Sequence, residues 1–357
     1  RAGGLCRSRR CSSTMIAVLI AHSATVISPG SKVLVVGSGP VCLCAAKLAA
    51  VRGFSTTCLV PPGDCELGPG LVSEGGDLGS LPLTFMPVAG PEASEEAIEA
   101  AAASAEGLIL AIDNEGAFGK PVLETFLQPS SALKRVAVMS RYLNGEGMGF
   151  FASAAKTAAN KDVWAANAQA VASYKAMEAE VARMSGAAGV EWTVIRAGTL
   201  KGGGSGCSGE EGDERSGEPS LLTPAFYELG QQDIVNWRLL YDCSALKVKL
   251  VRGDTLPGPG FTAALTATDK VGAGDSHRGA VAAALVEALR SPDAANRDYS
   301  VWRRRRGASS LQCTVPANTL QPTAEFLRGR RSFSRRQFQL DQGEKMGQRD
   351  EGTAERV

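Results

Sequence analysis

The chain is poor in the residues that build metal centres. It has only two histidines, His22 and His277, and its nine cysteines include no Cys-x-x-Cys pair, which excludes zinc-finger and iron–sulfur ligand spacing. Nine is an odd number, and most of these cysteines lie in apolar runs, which argues against a disulfide framework and for buried thiols in a reducing compartment. A membrane span is also missing, because the apolar stretch Met15–Ile27 has 13 residues, too few to cross a bilayer. Acids are absent from residues 1–31, which carry four arginines, and are outnumbered in 303–357, where six face twelve lysines and arginines. Since the whole chain carries only +1, residues 32–302 are left near −9. A body this acidic excludes nucleic-acid binding, which needs a basic surface. No internal repeat is present.

What the sequence does contain is a strand, a tight turn and a helix in direct succession. The apolar run Val33–Val36 breaks at Gly37-Ser38-Gly39 and resumes as an Ala- and Leu-rich segment of helical spacing up to Gly53. This is how a dinucleotide-binding βαβ unit begins. Gly37 permits the sharp turn, while Gly39 lets the backbone at Pro40 and Val41 approach a pyrophosphate seated on the opening of the helix. The third glycine of the fingerprint is replaced by Cys42, whose side chain is expected to push the helix slightly off the strand.

Apolar β-branched runs alternate with helical patterns along the rest of the chain. Strands are expected at 54–60, 83–88, 107–112, 134–139, 190–195, 247–251, 261–268 and 299–302. Helices are expected at 92–105, 122–127, 162–184, capped by Asp162 and stopped at Gly186, and 280–289, with loops at 61–79 and 202–219. The pattern predicts an α/β fold, a doubly wound parallel sheet covered on both faces, with a small C-terminal substrate-side lobe over 202–270. Residues 1–31 read as a targeting or N-terminal extension, and 303–357 as a basic, extended tail.

Residues 32–302 resemble the atypical short-chain dehydrogenase/reductases of the NmrA-like, NAD(P)-binding group. Besides the glycine turn, the resemblance is carried by Gly76-Asp77-Leu78, by Ala111–Gly116, by Lys175-Ala-Met-Glu178 with Ser185-Gly186 and Trp192–Leu200, and by Asp275–Pro292. It implies that the pyrophosphate sits at Gly37, Ser38, Gly39, Pro40 and Val41, that adenine contacts Asp77 and Leu78 after the third strand, and that Ala111 lies beside the cofactor. It also implies that Lys175 holds the nicotinamide ribose and that Ser140 binds a carbonyl oxygen. The family's catalytic tyrosine, one helical turn before the lysine, is replaced by Val171, which can neither donate nor accept a proton. Tyr174, Tyr142 and Trp164 are the remaining substitutes for it.

The second strand ends Cys58-Leu59-Val60-Pro61-Pro62 with neither the acid that holds a ribose nor an adjacent arginine. NADP(H) is expected over NAD(H), and the missing acid excludes a flavoprotein reading. Two functions follow from the resemblance. One is an NAD(P)-binding protein with a degenerate catalytic site, an accessory subunit or assembly factor of an organellar complex docked through 303–357, in the plastid stroma rather than the mitochondrion or cytoplasm. The other is an active NAD(P)H-dependent reductase or epimerase using a different acid.

Overall fold

The computed structural model describes residues 25–79, 81–113, 116–128, 132–142, 150–160, 170–201, 221–223, 248–256 and 275–303. The chain divides into two units, 1–308 and 309–357, and all described residues belong to the first. Asp162, Trp164, the strand expected at 261–268, the polar loop 202–219 and the tail from 304 lie outside the described residues.

The strands are β1 (Lys32–Ser38), β2 (Ser55–Val60), β3 (Leu83–Pro87), β4 (Gly107–Ile112), β5 (Arg135–Arg141), β6 (Glu191–Ala197), β7 (Thr199–Lys201), β8 (Val248–Arg252), β9 (Asp275–His277) and β10 (Arg297–Arg303). The helices are α1 (Gly39–Val51), α2 (Pro62–Val72), α3 (Glu95–Ser104), α4 (Lys120–Phe126), α5 (Phe150–Ala159), α6 (Ala170–Ala188) and α7 (Arg278–Arg290). Eight strands form one sheet in the order β3-β2-β1-β4-β5-β6-β10-β8. All neighbours are parallel except β8, which runs antiparallel to β10. This is the doubly wound α/β arrangement that the alternating pattern predicts. The connections leave β1 on opposite sides, so the topological switch point lies between β1 and β4, with Gly37 paired to Ala111 and Ser38 to Ile112. Open α/β sheets bind their ligands at this point. The edge strand β8 falls inside the 202–270 stretch that the sequence assigned to a separate lobe.

Both faces of the sheet are buried. Val33 and Val35 face a layer containing α1 and α7 residues, whereas Leu34 and Val36 face a layer containing α4 and α6 residues. Helix α1 is apolar almost all round because it is wedged between the sheet and α7: Val41, Cys42, Leu43, Cys44, Leu48 and the alanines between them are all buried. A helix with this pattern is a core helix. Cys42 fills the space against β2, its Sγ 3.9 Å from that of Cys58, so two thiols occupy the helix–strand contact that a glycine would leave closer.

Three local expectations need correction. Residues 61–79 include helix α2 rather than forming one loop. Pro62 occupies the first turn, where no partner for its N–H is needed, and Asp64 complements the helix dipole there. Gly186 does not stop α6. The helix continues to Ala188 and ends at Gly189, φ +70°, where the Val190 N–H donates to Ser185 O and the Gly189 N–H to Gly186 O, as in a Schellman ending. Helix α5 is an element that the sequence reading did not anticipate.

Candidate functional site

The crevice is built where β1 hands over to α1. Gly37 (φ +153°) has no room for a side chain, since a Cβ there would lie 1.6 Å from the Ala111 carbonyl oxygen of β4. Gly39 (φ +79°) would bring a Cβ to 2.9 Å from the Cβ of Asp113. Both glycines are therefore required by neighbouring residues of the protein itself. Gly37, Ser38, Gly39, Pro40, Val41 and Ala111 lie at this handover between β1, α1 and β4, and Asp113 closes on them.

The donors that open α1 are already engaged. The Gly39 N–H donates to Asp64 Oδ2 at 2.9 Å and the Val41 N–H to Asp113 Oδ1 at 2.7 Å, while Pro40, between them, has no N–H. Ser38 is the cap residue and makes no side-chain capping bond; its carbonyl accepts from the Asp113 N–H. Asp113 is 1% exposed. Arg278, the first residue of α7, donates from Nε to Asp113 Oδ2 at 2.6 Å, and Arg141, at the end of β5, donates to the Asp113 carbonyl and to Gly198 O. Burial raises the Asp113 carboxyl above the ordinary aspartate range, against the opposing pull of Arg278 and the Val41 N–H. In this arrangement the seat does not fit a pyrophosphate, because a carboxylate stands on the donor that a phosphate oxygen would need.

Ser140 lies on β5 and is fully buried. Its hydroxyl donates to Glu178 Oε1, and Glu178 is held in a two-point ion pair by Arg196, Nε to Oε1 at 3.0 Å and Nη2 to Oε2 at 2.8 Å. Arg196 also donates to Asp298 and lies 3.9 Å from Asp254. Burial would lower the Arg196 pKa, but Glu178, Asp254 and Asp298 outweigh it and hold the guanidinium charged. The serine is thus tied into a cross-strand ion network joining β5, β6, β10 and α6. Lys175 is half-buried on α6, three residues before Glu178 and so on an adjoining flank of the helix. Val171 packs against the core, where Tyr174 is buried. The Tyr142 hydroxyl is turned inward, donating to Val301 O. Neither Tyr142 nor Tyr174 substitutes for the missing one as an exposed acid.

Asp77 and Leu78 do not reach the crevice. They lie between α2 and β3 and so lead into the amino end of β3, whereas the crevice opens at the carboxyl ends. Asp77 Oδ1 accepts from the Gly79 N–H at 2.8 Å, closing its own turn, and Leu78 packs on the core. The Gly-Asp-Leu match has the wrong order relative to the third strand. The sequence reading also missed Asp64, which occupies the first turn of α2, and Asp113, which ends the apolar run of β4. Among the described residues, no group of three or more histidines, cysteines, aspartates or glutamates could hold a metal ion, and no helix is long and apolar enough to cross a membrane.

No protein-family model matches the chain, and no curated protein matches it. Solved structures resemble it in chain path. A protein of Bacillus halodurans described as an NAD-dependent epimerase/dehydratase is 15% identical, over 77% of this chain and 95% of that one, with a TM-score of 0.38. A Streptococcus pneumoniae protein described as an NADH-flavin reductase is 12% identical, over 77% and 100%, with a TM-score of 0.41. The Bordetella bronchiseptica enzyme WbmF, solved with NAD+ and UDP, is 13% identical, over 49% and 50%, with a TM-score of 0.32. Similarity at this level transfers neither cofactor nor chemistry. The fold assignment rests on the strand order and register given above.

Proposed function

We propose that this chain is a protein of the short-chain dehydrogenase/reductase type that has kept the dinucleotide crevice in outline, has lost hydride transfer, and serves as an accessory subunit or assembly factor. The observation that carries this reading is the fate of the catalytic positions. Val171 stands where the acid is needed, and the Ser140 hydroxyl is spent on Glu178 inside the Arg196 network. A serine held in this way gives up its hydrogen bond to a charged carboxylate before it can turn to a substrate carbonyl.

Nucleotide recognition in this reading is of the NAD(H) type, against the sequence expectation of NADP(H). Asp64 follows the second strand and lies within 2.9 Å of the Gly39 N–H, in the place of the acid that accepts from a ribose 2′-hydroxyl and repels a 2′-phosphate. The basic stretch 303–357 is the docking element for a larger organellar assembly, of the plastid stroma in preference to the mitochondrion, since a tail opening with four arginines is drawn to anionic surfaces that an acidic body repels.

The test uses the full chain. Incubated with NADH or NADPH and a panel of aldehydes, ketones and nucleotide sugars, it is expected to show no cofactor oxidation or epimerisation. Deleting 303–357 is expected to leave the fold intact and to release the protein from the complex with which it co-sediments. Measurable turnover would establish the reductase or epimerase reading in its place, and a truncated chain that still co-sediments would rule out the tail as the docking element.

A further inference from the structure

We infer that Asp113 is an internal anion that holds the phosphate seat shut, so that a nucleoside diphosphate enters only by displacing it from Val41 and taking over Arg278. The inference rests on the proposed nucleotide reading and deepens it.

Four observations converge on Asp113. It accepts from the Val41 N–H at 2.7 Å, the first-turn donor that a phosphate oxygen would use. Its Cβ stands 2.9 Å from where a Gly39 Cβ would be, so its carboxylate is carried to the opening of the helix, where the backbone would approach a ligand. It is buried with Arg278 as its counter-ion, Nε to Oδ2 at 2.6 Å. Its main chain is pinned separately from its side chain, with the carbonyl accepting from Arg141 and the N–H donating to Ser38 O.

The carboxylate therefore copies what a bound phosphate would do: it takes a helix-opening N–H on one oxygen and a guanidinium on the other. A diphosphate and a carboxylate cannot share these donors, because like charges at contact distance repel strongly where water is excluded. Since the backbone is held independently, χ1 of Asp113 can change without β4 leaving the sheet. Arg278, released from Asp113, would then pair with the incoming phosphate, for which a guanidinium is well suited. Binding is an exchange of anions on one cation and one N–H, and its apparent affinity is lowered by the fraction of molecules in which Asp113 is seated.

The experiment titrates ADP and NADH into full-length native protein, Asp113→Asn and Arg278→Gln, following heat release and the Val41 amide resonance. Asp113→Asn is expected to bind ADP at least tenfold more tightly than the native chain, and Arg278→Gln more weakly. In the native chain, saturating ADP is expected to move both the Val41 amide and the Asp113 side-chain carboxyl signals. Unchanged or weaker binding by a folded Asp113→Asn would overturn the inference. If that variant does not fold, the native titration decides: ADP that binds while both signals stay in place overturns it. No ADP or NADH binding by any form sinks the gate and the nucleotide reading together. Turnover by the native chain, with the affinity gain in Asp113→Asn, would refute only the non-catalytic reading.

Discussion

Replacing Gly37 by alanine separates a glycine kept for a ligand from one kept for the fold. The added Cβ would lie 1.6 Å from the oxygen and 2.7 Å from the carbon of the Ala111 carbonyl, about half of a normal contact. Relief requires β1 and β4 to part by well over an ångström at the Gly37–Ala111 and Ser38–Ile112 pairs, the last two of the ladder. Losing about two ladder hydrogen bonds costs roughly 2 kcal/mol net. Holding an L-residue at φ +153° adds about 1–3 kcal/mol. The total, about 4 kcal/mol, is a large share of the 5–15 kcal/mol that typically holds a domain together, and corresponds to a fall in melting temperature of roughly 10 °C. At Gly39 the obstructing atom is the Asp113 Cβ at 2.9 Å, which only a small backbone shift can move, and an L-residue at φ +79° adds strain, so alanine there should cost about 2–3 kcal/mol, less than at Gly37 because the overlap is shallower. The assay is urea unfolding of the ligand-free chain, followed by circular dichroism, for both variants. A Gly37→Ala unfolding free energy within about 1 kcal/mol of native, or a larger loss for Gly39→Ala, would refute the reasoning.

Three further outcomes are expected. His277 is 3% exposed, and burial, with Arg278 beside it, lowers its pKa from 6.5 to about 4. Between those values the unfolded chain takes up a proton that the folded chain refuses. Stability should therefore fall as pH drops from 6.5 towards 4, by about 3 kcal/mol in all. His277→Gln should flatten that slope in urea titrations at several pH values; the raised Asp113 carboxyl works in the opposite direction and is common to both proteins. Ser140→Ala should lower stability by about 1–2 kcal/mol and leave ADP affinity unchanged by calorimetry, whereas a catalytic serine would be dispensable for folding. Asp64→Ser should shift the NADPH-to-NADH affinity ratio upward about tenfold, or about 1.4 kcal/mol; a constant ratio would show that Asp64 does not face the ribose.

Much of the sheet was legible because its strands are short apolar runs bounded by turn residues. Gly107–Ile112 was read to the residue, whereas α3, expected from 92, begins at Glu95 because Ser94 caps it by accepting from the Ala97 N–H. The stretch 61–79 was misread because its prolines and glycines suggest a loop. Yet Pro62 at a helix start costs nothing, and Gly68 is small because Phe85 packs against it, 2.8 Å from where a Cβ would be. The site was legible in its glycines and illegible in its carboxylates. An aspartate at the end of an apolar run reads as a solvated turn residue, and what makes Asp113 otherwise is Arg141 and Arg278, 28 and 165 residues away. The ion network had left a trace: Glu178 and Arg196 both lie in the run that carries the family resemblance, but their pairing across α6 and β6 appears only in three dimensions.

The wedging of α1 between sheet and α7 has a consequence for how the protein is made. About 230 residues separate the end of α1 from the start of α7, and at roughly 5–20 residues per second of synthesis the helix waits on the order of 10–50 s for its cover. During that interval the part of α1 that packs on α7 has no protein surface opposite it. The strand β10, which also pairs with β6, arrives later still. The newborn chain is thus expected to recruit a holding chaperone at α1, and ribosome profiling of chaperone-bound nascent chains should show occupancy that begins after residue 51 has emerged and ends once residue 303 has cleared the exit tunnel.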